Sequence, residues 1–510
     1  MSFKLTYASM FNPPAELHTR FDAALTEVRG GLGRSHALHI DGADVPAARS
    51  FEKRSPIDNS VLGQFPRGDA GDVERAVAAA RAAFPGWRAT PWGERVALMK
   101  RVADLIEARV YHIAAALTLE VGKNRLEALA EVQETADFFV LYGEDLARHD
   151  GFAHTLPDDP LPGFRSSNRS VMQPYGVWAV VAPFNFPFAL AGGPVAAALV
   201  TGNTVVCKGA TDTPWAGRLL ADCLRDAGLP RGVFNYLLGP GAEVGEALTG
   251  HAGIDGITFT GSYDVGMGIY RRCAQGRWPR PCIAEMGGKN ATLVSRNADL
   301  ERAALGIVRS GYGMGGQKCS ALSRLYVEEP VADALIAKLE EKIGALRIGD
   351  PTRAENWLGP VINEGARAKY LRFSQQLVQG GAKLLAGGHA LDDGERASGW
   401  YCAPTLAEAP LEHALWQEEM FLPIVMLCRV ANREEAMQLA NDSPLGLTAG
   451  VYGNDEDIAY FFENIEAGVT YANRPQGATT GAWPGFQPFG GWKGSGSTGK
   501  AIASFYYLAQ

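Results

Sequence analysis

The sequence offers no paired cysteines. Its seven cysteines (207, 223, 273, 282, 319, 402 and 428) form no CxxC, and their number is odd. That argues against the even, closely spaced framework of a small disulfide-stapled protein. None of the nine histidines belongs to an HExxH or a CxxH, so no metal site is read. A long basic stretch is missing too, and the formal net charge is −8; neither nucleic acid nor an anionic membrane is an expected partner. The opening residues, MSFKLTYASMFNPP, lack the basic segment and apolar core of a secretion signal. A reduced, cytoplasmic setting is the expectation. No internal repeat or low-complexity tract stands out.

What is present is length and an ordinary composition: 510 residues, 46% hydrophobic and 20% charged. Such a chain is too long for one core, so two or three domains are expected. One charge-free run, Tyr175 to Cys207, is long enough to span a bilayer. Pro183, Pro187 and Pro194 interrupt it, however, and Asn185, Asn203 and Gly192-Gly193 punctuate it. It reads as a buried strand (176–182), a loop, a buried helix (187–201) and a second strand (204–208). Earlier, helical patterns cover 21–29, 72–84, 94–109 and 112–148, with a break near Gly122. From 171 to 294, strand-like runs (VWAVVA, NTVVCK, GVFNYLL, GITFTG, NATLVS) alternate with helical ones at 215–227 and 244–249. A second alternating block, 300–469, has helices at 300–312, 331–346, 363–379 and 433–441, and the strands SRLYVEE, AKLLAG and AGVYGN. Such alternation predicts parallel sheets in α/β layers. Residues 151–168, rich in Pro, Asp, Gly and Ser, read as an excursion from the core.

Three residues carry candidate chemistry. In GYGMGGQKCSALSRLYV, Cys319 follows a glycine-rich turn and precedes a strand. There it faces a cleft, and free backbone N–H groups favour its thiolate; a lone cysteine is otherwise most often a small buried hydrophobe. In IAEMGGKNATLV, Glu285 ends an apolar strand-like run. A carboxylate there either turns into a cleft and activates water or sits solvated at a turn. In VVAPFNFPFALA, Asn185 lies in an apolar, proline-flanked loop, where an amide is costly to bury without partners. It can hold a developing alkoxide or cap the following helix.

The runs PFNFP, FTGSYDVG, EMGGKN, GQKCS, EEMFLP, NDSPLGL and PFGGWKGSG resemble, in order and spacing, the motifs of the aldehyde dehydrogenase superfamily. They cover nearly the whole chain. Glu285 and Cys319 stand 34 positions apart, as the base and nucleophile do in that family. The resemblance implies that Cys319 attacks an aldehyde carbon, the oxyanion being held by the Asn185 amide and the Cys319 backbone N–H. Hydride transfer to a nicotinamide leaves a thioester, and water activated by Glu285 releases the acid.

The resemblance also implies NAD or NADP as cofactor. Lys208 would meet ribose hydroxyls, Gly241 and Gly245 a phosphate, Gly261 and Ser262 the diphosphate, and Glu419 with Phe421 the nicotinamide end. Pro183, Phe184, Thr211, Met286 and Gly287 would lie beside them. Glycines at a strand-to-helix turn suit this, because a diphosphate can then reach the amides of a helix N-terminus. Two positions depart from the family. Thr211 stands where many NAD-preferring relatives carry a glutamate that repels a 2′-phosphate, so NADP should be better tolerated. Leu422 stands where a glycine is usual and restricts movement of the nicotinamide end.

Within the superfamily, the serine after the nucleophile, EVGKN, YANR and QPFGGWKGSG resemble the 1-pyrroline-5-carboxylate (glutamate-γ-semialdehyde) dehydrogenases. This implies oxidation of L-glutamate γ-semialdehyde to L-glutamate. Phe186 would lie beside the substrate, and Ser320 with the Gly494-Ser495-Gly496 loop would anchor its carboxylate through charge-assisted hydrogen bonds. Against that, the loop GATTGAWPGF reads as longer than in the subfamily and Trp483 is foreign to it, which points to an apolar or aromatic aldehyde. The alternatives are a broad-specificity or aromatic aldehyde dehydrogenase and, from another class, a non-catalytic structural or binding protein keeping the fold. The implied fold is α/β, with a Rossmann-type dinucleotide-binding domain (1–150 and 170–287) and an α/β catalytic domain (288–472). A small β arm (151–169) joins a C-terminal strand near 504–508, and 473–510 also supplies the anchor loop. By extending a neighbour's sheet, that arm would hide an edge and give a homodimer or larger homo-oligomer.

Overall fold

Strands built from Val, Ile, Ala and Thr need apolar cover on both faces. The computed structural model, which describes residues 6, 7, 9, 10, 13–276 and 278–510, supplies it twice. The first sheet contains β1 (Leu38–Ile40), β2 (Ala43–Val45), β3 (Val177–Val181), β4 (Thr204–Lys208), β5 (Phe234–Leu237), β6 (Gly256–Thr260) and β7 (Cys282–Glu285). Its spatial order is β7-β6-β3-β4-β5-β1-β2, with β3 to β7 mutually parallel and β1 and β2 antiparallel at one edge. Parallel strands wound outward in both directions from β3 make a Rossmann arrangement. Its crevice lies where the winding reverses, at the carboxyl ends of β3 and β6.

The second sheet contains β8 (Asn290–Val294), β9 (Leu322–Glu328), β10 (Lys383–Ala386), β11 (Thr405–Glu408), β12 (Ile424–Val430), β13 (Thr448–Tyr452) and β14 (Val469–Ala472). Its order is β10-β11-β12-β9-β8-β13-β14, and only β10 runs antiparallel. Met286, Gly287, Gly288 and Lys289 alone join β7 of the first sheet to β8 of the second. One apolar core lies with the first sheet and two with the second.

Local sequence explains the helices nearest the site. Asn124 starts the Arg125–Arg148 helix, its side-chain oxygen accepting from the Leu126 and Glu127 N–H groups. Helix Ala189–Val200 is buried at every residue but Leu190, which is why it carries no charge. The charge-free run is therefore core. Among the described residues no helix is long and apolar enough to cross a membrane.

Several expectations change. The strand near 504–508 is a run of turns; among the described residues no strand pairs with it, and Tyr507 instead stacks on Tyr142, ring centroids 5.5 Å apart. The excursion does fold back as a two-stranded antiparallel hairpin, Ala153–Thr155 with Arg169–Val171. Helices Tyr263–Ala274 and Asp455–Asn464 were not anticipated: glycines at 266 and 268 dilute the first pattern, and acidic residues crowd the start of the second. The helix expected at 244–249 begins earlier, as a π turn at Gly241–Gly245.

Candidate active site

Glycines place the candidate nucleophile. Helix Leu300–Tyr312 gives way to a tight turn, Gly313–Gly316, in which Met314, Gly315 and Gly316 take positive φ. At Gly316 a Cβ would lie 2.2 Å from the Leu422 carbonyl oxygen, so only glycine fits. Asn290 Nδ2 then donates to the Cys319 and Ala321 carbonyls at 2.7 and 2.8 Å. This fixes Cys319 on the wall of a cavity of about 100 Å³. Burial pushes the thiol up to about 12, the Glu419 and Glu285 carboxylates add to the rise, and the Ser320 and Cys319 backbone N–H groups oppose it. The thiolate preference read from the glycine-rich turn is thereby corrected. The amides are present, but burial and two carboxylates outweigh them.

Glu285 is the last residue of β7, bridged through its backbone to Gly496. Burial pushes its carboxyl up to about 8, and its Oε2 is buried with no hydrogen-bond partner among the described residues. It stands close enough for its charge to raise the Cys319 thiol. A carboxyl with proton affinity near neutrality and an uncommitted oxygen is suited to accept a proton from water.

Asn185, in the loop after β3, is 3% exposed. Its carbonyl accepts from Lys123 Nζ at 2.8 Å. Lys123 is ion-paired to Glu131 with both side chains fully buried, and the other Glu131 oxygen accepts from the Phe188 and Ala189 N–H groups at 2.8 and 3.2 Å. One buried pair thus holds the loop and the start of the next helix together. That helix begins at Phe188 with no side-chain cap, so the Asn185 amide is not spent there.

Around the Rossmann crevice, Lys208 ends β4; burial brings its ammonium down to about 8, and Nζ donates to the Gly209 carbonyl at 2.9 Å. Exposed Thr211 donates to the Gly239 carbonyl at 3.1 Å. A Cβ at Gly241 would meet nothing within 4 Å, and at Gly245 only the Lys208 methylenes, at 3.9 Å and beyond. Gly261 and Ser262 follow β6, and the Tyr263–Ala274 helix starts at Ser262 with no side-chain cap. Its first amides are left to be met from outside. Glu419 accepts from the Gly288 N–H at 2.8 Å and lies so close to Gly287 that a Cβ there would sit 2.0 Å from Oε2. Phe184 meets Phe421 edge-on at 5.8 Å, with Phe421 at φ 57°. Pro183 is half-buried and Met286 buried beside them. An uncapped helix end, open glycines, an ammonium and a carboxylate suit the diphosphate and riboses of a dinucleotide.

The aldehyde dehydrogenase family model matches residues 44–508. This chain belongs to the aldehyde dehydrogenase family. It is 38% identical over 496 residues to a 1-pyrroline-5-carboxylate dehydrogenase of Geobacillus thermodenitrificans, covering 96% of this chain and 94% of the relative. A solved 1-pyrroline-5-carboxylate dehydrogenase from Thermus with bound NAD matches with a TM-score of 0.92 at 34% identity, covering 100% of this chain and 97% of that one. A Staphylococcus aureus betaine aldehyde dehydrogenase in complex with NAD+ matches at 0.87 and 29% identity, covering 94% and 93%. As a family member the chain is an NAD(P)-dependent aldehyde oxidoreductase with the aldehyde dehydrogenase fold.

In this aldehyde dehydrogenase, Phe186, Cys319 and Ser320 line one cavity, as the motifs suggested. Gly494, Ser495 and Gly496 do not, and their assignment as a carboxylate anchor is corrected. Ser495 is 0% exposed; its hydroxyl donates to the Gly287 carbonyl at 2.7 Å and accepts from the Gly446 N–H at 3.1 Å, while its carbonyl accepts from the Met286 N–H at 2.9 Å. With both Ser495 donors taken, the hydroxyl by Gly287 and the N–H by the Trp492 carbonyl, the segment braces Met286 and Gly287. The cavity is lined instead by the preceding stretch, including Gln476, Gly481, Ala482, Trp483 and Gln487. Reading the sequence also missed Tyr7, Glu127, Arg309 and Lys318. Lys318 sits beside Cys319 in GQKCS and pairs with Glu127 at 2.8 Å; position alone could have found it. Tyr7 gave no signal, because its neighbours in space are remote in sequence.

Proposed function

We propose that this enzyme oxidises L-glutamate γ-semialdehyde to L-glutamate with NAD or NADP. The observation that carries the reading is the mixed charge of the Cys319 cavity, whose wall includes Ser320, Arg309 and the Lys318–Glu127 pair. Both charge signs on one wall suit a substrate with a carboxylate and an ammonium group, and two of the relatives named above are 1-pyrroline-5-carboxylate dehydrogenases. Cys319 loses its thiol proton to solvent as Sγ bonds to the aldehyde carbon, and the Asn185 amide with the Cys319 N–H takes the oxygen's developing charge. A bound oxidised nicotinamide supplies the hydride acceptor. Lys208, Thr211, Gly241, Gly245, Gly261, Ser262 and Glu419 would hold that cofactor, with Pro183, Phe184, Met286, Gly287 and Phe421 beside it. Glu285 then takes a proton from water as its oxygen attacks the thioester carbon; the C–S bond breaks and the thiolate returns.

In this reading 1–150 and 170–287 serve the dinucleotide and supply Asn185 and Glu285, and 288–472 is the catalytic domain that carries Cys319. The hairpin at 153–171 would pair with a second copy, supported by its exposed Leu156, Leu161, Phe164 and Val171. The seven free thiols support a reducing cytoplasm.

A second reading, a neutral or aromatic aldehyde, is favoured by Phe138, Phe186, Trp357, Trp483 and Phe489 on the same wall. The test compares kcat/KM for glutamate γ-semialdehyde with that for pentanal and benzaldehyde. The first reading expects a preference for the charged substrate of roughly tenfold or more, reduced in Ser320→Ala. Equal or reversed preference would move the assignment to the second.

A further inference from the structure

Two aromatic side chains from opposite ends of the chain meet at the Cys319 cavity. Tyr7 and Trp483 are in edge contact, ring centroids 5.2 Å apart at 76°, and Tyr7 meets Phe186 edge-on at 6.3 Å. Each is tied by its polar tip to the same helix. The Tyr7 hydroxyl donates to Glu134 Oε2 at 2.9 Å, and the Trp483 indole N–H donates to Asp137 Oδ2 at 2.8 Å. Glu134 and Asp137 lie one turn apart on helix Arg125–Arg148, so one face of that helix holds both rings. Trp483 is only 4% exposed, and its carbonyl accepts from the Phe486 and Gln487 N–H groups, both at 3.0 Å, which folds its loop back over the cavity. On the other flank Lys123 Nζ stands 4.2 Å from the Phe186 ring centroid.

We propose that Tyr7 and Trp483 form the end wall of the acyl pocket and set the longest aldehyde the enzyme accepts. Glu134 and Asp137 act as positioning residues. The inference rests on the reading of the cavity as the aldehyde site, whichever aldehyde is physiological. A buried aromatic ring has few rotamers, and a hydrogen-bonded tip fixes the one it adopts. A substrate one methylene too long must push a ring off its carboxylate, leaving that carboxylate short of a donor. Such a substrate loses roughly tenfold or more in kcat/KM. Without the tip bonds the rings would still be apolar, but they would yield.

The test is a length series: kcat/KM for the semialdehydes of succinate, glutarate, adipate and pimelate, and for straight-chain aldehydes from propanal to octanal. The wild-type enzyme should show a sharp fall at one length. In Trp483→Ala and Tyr7→Ala the ratio of long to short substrate should rise by about tenfold. Asp137→Ala should raise it as well, through KM rather than kcat, while Asp137→Asn keeps an acceptor for the indole and stays near the wild-type ratio. A merely structural loss would lower all lengths alike. Tyr7 is half-buried, so Tyr7→Ala decides alone if Trp483→Ala does not fold. An unchanged length limit in an active, folded Tyr7→Ala overturns the proposal. A wild-type protein that oxidises no member of either series overturns the aldehyde reading, and this inference with it.

Discussion

Glu285 holds its proton at neutral pH because burial raises its carboxyl to about 8. A base must first be empty, so when thioester hydrolysis limits turnover the rate should climb with pH and level off above about 8. Glu285→Gln should lose that limb yet keep a stoichiometric burst of reduced cofactor; a missing burst would place Glu285 in an earlier step. The same shift bears on stability. Its folded value lies above the ordinary 4.5, so its contribution is complete below that pH and is lost as pH rises through about 8. The Tm gain from Glu285→Gln should therefore be larger at pH 8.5 than at pH 5, and thermal melts at the two pH values decide it. At Thr211 no carboxylate opposes a 2′-phosphate, and Thr211→Glu should cut the NADP-to-NAD ratio of kcat/KM at least several-fold. An unchanged ratio would free Thr211 from that role. The sequence exposed Cys319 and Glu285 because their motifs are local. It hid the thiol's raised proton affinity, since that comes first from burial in the finished fold and then from Glu419, which is far along the chain.

Elements were legible where composition decides them. The fully buried strands β5, β8 and β13 and helix Ala189–Val200 announce themselves by lacking charge, because their faces meet apolar neighbours. Failures came where hydrogen bonding between remote segments decides. GSG at 494–496 looks like a flexible anion-binding loop, yet Ser495 is spent on Gly287 and Gly446. Ser495→Ala should therefore leave discrimination between charged and uncharged aldehydes intact while costing about 1–3 kcal/mol of stability, measured by denaturant unfolding. A selective loss on the charged substrate would restore the anchor role. Residues 504–508 failed similarly: their apolar pattern suits a strand, but in this chain their partners are rings, among them Tyr142 stacked on Tyr507. The Lys123–Glu131 pair is the contrary lesson, since EVGKN gave its lysine as a motif residue while its task of holding the Asn185 loop emerges only in three dimensions.

Across the whole molecule, the putting-together of the site follows from where the chain changes sheets. Glu285, the proposed base, ends the first sheet, Cys319, the proposed nucleophile, leads into the second, and the link Met286 to Lys289 is all that joins β7 to β8. Neither half owns the reaction; alignment is a property of their seam. Agents that loosen the seam should silence the enzyme while both halves keep their secondary structure. In a urea titration, turnover should fall at a lower concentration than far-ultraviolet circular dichroism, and coincident curves would show one cooperative body. Evolution can therefore retune this chemistry without touching a reacting atom, by altering how tightly two otherwise sturdy slabs are clasped.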